Sequence, residues 1–398
     1  MSKLNRILDI HQNPINLLFI SSYLPRKCGI ATFAKDLTKA INDLNPQSNA
    51  QIVAVNNNEH YEYPPEVVYQ INRDDLPNYE DAAKFINHTT ADIICLQHEY
   101  GLYGGDNSEY IFKLIGRIRQ PLIITLHTIL KSPTDQQRDV LFRLAKLSQA
   151  VVAMTPDAKE QLEEIYGINP DQVVVIHHGV ADRAKATKAD KVKYGWENRH
   201  VLLMTGLLNP DKGLDYVIRA LPAIKEQFPD ILFVIAGQTH PEIIKNHGEV
   251  YRDGLKQLID ELGVHDNIQF IDRYLSLDEL LSYYEACDIY LTPHLNSEQI
   301  ASGTLAYALG MGKACVSTPF VYAREILANG TGVFIEYKDS ISIEKAVLRI
   351  LSDPSYQASL ENKAYAIGRR MSWPLVAERY LLLFRIIQEL NGLTPAIS

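Results

Sequence analysis

Glycine, lysine and threonine recur in this chain at places where an anion could be held. Gly303-Thr304 opens a predicted helix, and Gly206-Leu-Leu-Asn-Pro-Asp-Lys212-Gly213 follows a predicted strand. Backbone N–H groups at a helix N-terminus attract an anion, glycine lets a phosphate approach closely, and a lysine adds full charge. Each feature also has an ordinary reading, since Lys-Gly turns are common solvated loops and Gly-Thr is a common helix start. Taken together they outline a phosphate site. His127 follows the strand ITL, and His177-His178-Gly179 follows VVVI. The first can cap or satisfy local backbone as well as face a ligand, and the pair can hydrogen-bond a hinge. Arg26-Lys-Cys-Gly29-Ile-Ala-Thr32 comes directly after the first strand. Gln97–Gly105 interleaves His98, Glu99, Tyr100 and Tyr103 with glycine. That mixture suits stacking on and hydrogen bonding to a sugar ring, and a rigid surface loop has the same composition.

Several chemistries lose ground on missing patterns. No G-x-G-x-x-G follows the first strand and G-x-x-x-x-G-K-[ST] is absent, which disfavours nicotinamide and P-loop chemistry. No G-x-S-x-G elbow supports a Ser-His-Asp hydrolase. No Asp-x-Asp occurs, so a metal clamp on a diphosphate is unsupported and no metal or other cofactor is expected.

The elements that must position these residues alternate in type. Short apolar runs at Ile15–Ser21, Gln51–Val55, Ala91–Leu96, Pro121–Leu126, Ala150–Met154 and Gln172–Ile176 predict strands in the first half. Amphipathic stretches such as Ala31–Leu44 and Ser132–Lys146 lie between them. The pattern restarts with Val201–Thr205, Ile231–Ala236, Ile268–Ile271, Ile289–Leu291, Ala314–Ser317 and Gly332–Phe334, separated by helical stretches. Such alternation is the sequence form of βαβ units around a parallel sheet. It predicts an α/β chain of two Rossmann-like domains, and the chemistry-bearing residues fall after strands, where such sheets bind ligands. A site in a cleft between the domains is the default expectation. The charged run Asp182–Asp190, poor in large apolar residues, reads as the linker. Trp373–Leu390 has the periodicity of a helix with one face to bury, without showing against which domain.

At 398 residues, two domains are the natural solution. A net charge of −9 argues against a general nucleic-acid binder, while leaving room for one local phosphate pocket. The four cysteines lie far apart with no C-x-x-C pair, as expected of reduced thiols in a cytoplasmic protein. The first residues, MSKLNRILDIHQNP, carry no signal-peptide core, and no segment reaches the roughly 20 apolar residues of a membrane span. Membrane contact is expected to be peripheral at most.

On these segments the sequence resembles the retaining GT-B glycosyltransferases of family 4, the group 1 type. The resemblance runs through SSYLPRKCGIATF, His127, VVVIHHGV, TGLLNPDKGLDYVIRAL, FVIAG, YEACDIYLTP and SGTLAYALGMGKACVSTP to the closing WPLVAERYLLLF. It implies an acceptor-side domain over residues 1–182, joined by a C-terminal helix within 373–398, and a donor-side domain over 183–372. It further implies transfer of a hexosyl group from a nucleotide-sugar to a carbohydrate or glycoconjugate acceptor. Gly29 would face the donor, His127 would contact the transferred sugar, and Lys212 would neutralise the diphosphate. Gly206, Gln299, Gly303 and Thr304 would complete the donor phosphate site, while the composition of the 97–105 stretch makes His98, Glu99 and Tyr103 the expected acceptor or sugar contacts.

The chain departs from the family pattern at three places. The arginine usual before the Lys-Gly turn is missing at Gly206-Leu207-Leu208, and the family's two glutamates fall on Glu298 and Ala306 or on Gln299 and Tyr307, the second register being favoured when Gly312-Lys313-Ala314 is aligned with the small-residue turn. Hydrogen bonds to charged groups contribute roughly 1.5–3 kcal/mol each. Nucleotide recognition must then differ in detail, or the handle is a sugar 1-phosphate in a phosphorylase or related transferase. A non-catalytic sugar- or nucleotide-binding protein is the remaining alternative.

Overall fold

The computed structural model describes residues 14–185 and 188–392. The readings made on residues 1–13, on Ala186 and Thr187 of the charged run, and on residues 393–398 lie outside these. The chain divides into two compact units, Met1–Gly179 with Trp373–Ser398, and Val180–Ser372.

Unit 1 holds a seven-stranded sheet in the order β3-β2-β1-β4-β5-β6-β7. Its strands are β1 (Asn16–Ser21), β2 (Asn49–Asn56), β3 (Val67–Asn72), β4 (Ile93–His98), β5 (Leu122–Leu126), β6 (Ala150–Ala153) and β7 (Val173–Val175), paired in parallel throughout. Helices α1 (Gly29–Leu44), α2 (Leu76–Asn87), α3 (Ile111–Ile115), α4 (Asp135–Leu147) and α5 (Pro156–Glu164) link them. Central strands such as IICLQH of β4 are buried along their whole length, because helices cover both faces of a parallel sheet. The edge strand β3 has no counterpart in the apolar-run reading. Only Ile71 of its six residues is buried, so VVYQIN carries no continuous apolar signal. The chain builds outward through β1, β2 and β3, then returns to place β4 on the other side of β1. That reversal is the switch point of a doubly wound sheet, where ligands bind outside the carboxyl ends.

Unit 2 repeats the design with six strands in the order β10-β9-β8-β11-β12-β13. These are β8 (His200–Thr205), β9 (Ile231–Ala236), β10 (Ile268–Ile271), β11 (Ile289–Thr292), β12 (Ala314–Ser317) and β13 (Gly332–Phe334). Helices α6 (Leu214–Gln227), α7 (Pro241–His247), α8 (Val250–Leu262), α9 (Leu277–Ala286), α10 (Gly303–Gly310), α11 (Val321–Ile326), α12 (Ser340–Ser352) and α13 (Pro354–Arg370) complete it. Its switch point lies between β8 and β11.

The chain leaves unit 1 after Gly179, a little before the start of the charged run, and that run is less free than a linker reading requires. Val180 N–H donates to Met371 O at 2.8 Å, Arg183 pairs with Asp278 and Glu285, and Lys185 Nζ donates to Asn362 Oδ1 at 2.8 Å. Residues 180–185 are thereby strapped to unit 2. After Ser372 the chain returns, and α14 (Trp373–Leu390) packs on unit 1. Trp373, Val376, Ala377, Tyr380, Leu381, Phe384 and Ile387 recur at helical spacing and are buried. Phe384 meets Phe19 edge-on at 6.4 Å, the Tyr380 hydroxyl lies 3.0 Å from Thr125 Oγ1, and Arg385 Nη1 donates to Pro14 O at 3.3 Å. No helix among the described residues is long and apolar enough to cross a membrane.

Candidate functional site

In unit 2 two loops leave the adjacent strands β8 and β11 at the switch point. The first runs from Gly206 through a 3-10 turn, Pro210–Lys212, to Gly213, where α6 begins. Gly213 has φ +65°, and a Cβ there would lie 2.3 Å from Pro293 O. Only glycine accommodates both the left-handed backbone and that approach. Leu295 N–H donates to Asp211 O at 2.8 Å and locks the second loop to the first.

These ties bring Lys212 to the start of α10. A Cβ built on Gly206 would lie 3.4 Å from Thr304 Cγ2 and 3.6 Å from Lys212 Nζ, so the ammonium and the threonine flank the bare Gly206 backbone. Ser302 caps α10, its Oγ accepting from Leu305 N–H at 3.3 Å. The amides of Gly303 and Thr304 belong to the first turn, which has no acceptors within its own helix. Tyr284 OH donates to Thr304 O at 2.8 Å and lies 2.7 Å from Thr205 Oγ1, fixing the helix start against β8. Burial draws the Lys212 ammonium down to about 8. A bound anion would favour its charged form. Gly206, Lys212, Gly303 and Thr304 are thus brought together, in surroundings suited to a phosphate.

Gln299 joins the same group through a residue that sequence reasoning missed. His294, 2% exposed, has Nε2 at 3.2 Å from Lys212 Nζ and Nδ1 at 2.9 Å from Gln299 Oε1. Burial first, and the Lys212 charge next, hold His294 well below the usual imidazole range, against the Gln299 hydrogen bond. A histidine just beyond a strand's carboxyl end was the available signal. Tyr307 is 6% exposed and packs in the core of unit 2.

In unit 1 the residues gather around β1, β4 and β5. Gly29 is the first residue of α1, and no atom lies within 4 Å of a Cβ built there. Neither its φ nor its packing calls for glycine. His127 N–H donates to His98 O at 3.0 Å, and its Nε2 lies 2.9 Å from Gln97 Oε1. Because the Gln97 amide nitrogen faces Cys95 Sγ at 3.4 Å, His127 Nε2 carries the proton and Nδ1 is an acceptor. Phe33 packs edge-on against His127 (4.9 Å), His178 (5.2 Å) and Trp373 (5.3 Å). Burial holds His127 at about 3, with smaller contributions from His178 and His98, while burial alone takes His98 to about 3. His178 falls to about 4, mainly through burial. A neutral His127 can orient a hydroxyl without acting as an acid.

The stretch 97–105 is not one surface loop. Gln97 and His98 end β4, paired opposite Thr125 and Leu126, and both are fully buried. Tyr103 is 1% exposed, its hydroxyl 2.7 Å from Gln97 O and 3.2 Å from Ile20 O, so its ring ties β1 to β4. Of the expected sugar contacts, Tyr103 spends its hydroxyl on backbone carbonyls, whereas both ring nitrogens of the buried His98 lack a hydrogen-bond partner. Glu99 differs. Burial pushes its carboxyl up to about 7, against hydrogen bonds from the Thr128 hydroxyl and the Tyr100 amide. Among the described residues no group of three or more His, Cys, Asp or Glu is placed to hold a metal ion.

Two doubly wound Rossmann-like domains in one chain are the architecture of the GT-B fold, which solved glycosyltransferases share. A glycosyltransferase from Rickettsia africae shares the fold with a TM-score of 0.77 at 19% identity, over 95% of this chain and 99% of that one. Anabaena HepE in complex with UDP and glucose gives 0.73 at 16%, over 95% and 100%. Sucrose-phosphate synthase from Thermosynechococcus elongatus gives 0.76 at 15%, over 96% and 100%.

The profile described as Glycosyltransferase Family 4 matches residues 29–183, and that described as Glycosyl transferases group 1 matches residues 186–367. The chain belongs to the group 1 glycosyltransferases of family 4. Among curated relatives, an uncharacterised glycosyltransferase of Methanocaldococcus jannaschii is 25% identical over 61% of each chain. A D-inositol 3-phosphate glycosyltransferase of Thermomonospora curvata is 25% identical over 62% of this chain and 59% of its own. A GDP-mannose-dependent mannosyltransferase of Mycolicibacterium smegmatis acting on phosphatidylinositol monomannoside is 28% identical over 42% and 43%. The alignments span about three fifths of the first two relatives' lengths.

Proposed function

We propose that this glycosyltransferase is a retaining enzyme that takes a hexosyl group from a nucleotide-diphosphate sugar to a carbohydrate or glycoconjugate acceptor. The carrying observation is the clustering of Lys212, Gly206 and the start of α10 at the unit 2 switch point. Unit 2 holds the donor phosphates: Lys212, the Thr304 hydroxyl and the first-turn amides of Gly303 and Thr304 stabilise the diphosphate as it departs. The bond from the anomeric carbon to the phosphate oxygen breaks, and the acceptor oxygen bonds to that carbon on the same face. The acceptor's proton passes to the departing phosphate. In unit 1, Gly29 leaves room for the donor, neutral His127 accepts a hydrogen bond from a sugar hydroxyl through Nδ1, and Glu99 binds an acceptor hydroxyl. HepE with UDP and the GDP-mannose-dependent relative support a nucleotide donor. The free thiols, three of them buried, suit a cytoplasmic enzyme.

Leu207, Gln299 and the buried Tyr307 favour a second reading, in which the donor is a sugar 1-phosphate. Melting temperatures with UDP, GDP, inorganic phosphate and glucose 1-phosphate separate the two. Stabilisation by UDP or GDP that disappears in Lys212→Ala is expected. A response to phosphate and glucose 1-phosphate alone would replace the first reading with the second.

A further inference from the structure

We propose that His294 is a positioning residue that aims the Lys212 ammonium, and that the uncharged amide of Gln299 is matched to it because it keeps His294 in the neutral Nδ1–H tautomer. This deepens the phosphate-site reading above and rests on it.

Donor and acceptor bookkeeping leaves one solution. Gln299 Nε2 donates to Ala301 O at 2.8 Å, which turns Oε1 toward His294. An amide oxygen can only accept, so His294 Nδ1 donates across 2.9 Å. An ammonium can only donate, so Lys212 Nζ gives a proton to the His294 Nε2 lone pair across 3.2 Å. The chain runs from lysine through imidazole and amide to a backbone carbonyl without an unpaired step. The imidazole itself is clamped. Phe320 stacks on it at 5.2 Å with planes 20° apart, and Thr318 Oγ1 donates to His294 O at 2.6 Å. The Gln299 backbone is held by Tyr322 N–H, which donates to Gln299 O at 3.1 Å.

The charge pattern explains the amide. Lys212 is the charged group facing His294; Gln299, Phe320 and Thr318 are neutral. A carboxylate at 299 would favour a second proton on the imidazole. The imidazolium would then confront the ammonium, and Lys212 would lose its acceptor. With glutamine, the low basicity imposed by burial and by Lys212 keeps the Nε2 lone pair available. The departure at 299 is therefore coupled to the histidine five positions before it.

The test uses the full chain, with inorganic pyrophosphate as the probe in titration calorimetry and 15N-histidine NMR as the second readout. Wild type is expected to show a neutral, Nδ1-protonated His294 from pH 5.5 to 8, and Gln299→Glu a His294 that titrates within that range. Pyrophosphate affinity is expected to fall about tenfold in His294→Ala, the scale of one hydrogen bond to a charged group, and to stay within about threefold in His294→Gln, whose Oε1 can still accept from Lys212. Unchanged affinity in His294→Ala overturns the positioning role if Lys212→Ala has lost binding. If Lys212→Ala binds normally, the phosphate-site reading itself has failed. A wild-type His294 that titrates, or that carries its proton on Nε2, overturns the tautomer assignment even where a variant does not fold.

Discussion

Lys212 offers the sharpest quantitative test, because its proton is poised near working pH. Burial brings its pKa from 10.5 to about 8 in the unliganded protein. About nine tenths of the ammonium is then charged at pH 7, about half at pH 8 and about one tenth at pH 9. A bound diphosphate raises the lysine pKa, so binding takes up a proton whenever the free lysine lacks one. The sign follows: affinity is full below pH 7 and weakens as pH rises through 8. Between pH 7 and pH 9 the loss is about tenfold. Pyrophosphate affinity measured by calorimetry from pH 6.5 to 9.5 gives the profile. Lys212→Arg keeps its charge throughout and reports the ligand's own ionisation, so its profile should lack the extra slope. Lys212→Met should bind about ten- to a hundredfold more weakly at pH 7, with no extra slope. A wild-type profile parallel to that of the arginine variant would refute the linkage between this buried ammonium and the anion.

Three further outcomes test other parts of the structure. Gly29→Ala should leave the melting temperature unchanged or slightly raised, since its Cβ meets no atom within 4 Å, while sugar transfer falls; unchanged turnover removes Gly29 from the donor site. Phe384→Ala, which empties a fully buried position on α14, should destabilise the protein by about 3–5 kcal/mol in urea unfolding, against about 1 kcal/mol for Tyr380→Phe. His98, His127 and His178 are all held below their ordinary 6.5, at about 3, 3 and 4. The unfolded chain takes up these protons first, so the stability they confer is complete above about pH 6.5 and is lost as pH falls, through about 4 for His178 and about 3 for His98 and His127. Melting temperature should follow that decline, and His98→Leu should flatten it; an equal slope in that variant would rule out His98 as a contributor.

Much of the architecture was legible because its causes are local. Apolar runs bounded by turns predict the central strands, and the periodicity of Trp373–Leu390 predicts a helix with one buried face. Glycine beside Lys212 and ahead of Thr304 points to an anion because backbone amides and charge act through short-range geometry. The edge strand Val67–Asn72 left little trace, since a strand buried at one residue lacks the apolar continuity that betrays a central one. Gln97 and His98 looked like loop residues from their polarity; pairing with β5 drew them into the interior.

The linear order of residues by itself determined the α/β alternation, the restart of the pattern at Val201, the Lys-Gly turn and the absence of a metal-binding Asp-x-Asp. Tertiary structure alone decided which of these polar residues meet. Lys212 and His294 are separated by 82 positions, and Gln97 and His127 by 30. Parallel pairing of β8 with β11, and of β4 with β5, sets their loops side by side. A crossover connection places strand ends together irrespective of the chain length between them, and no local spacing encodes that neighbourhood.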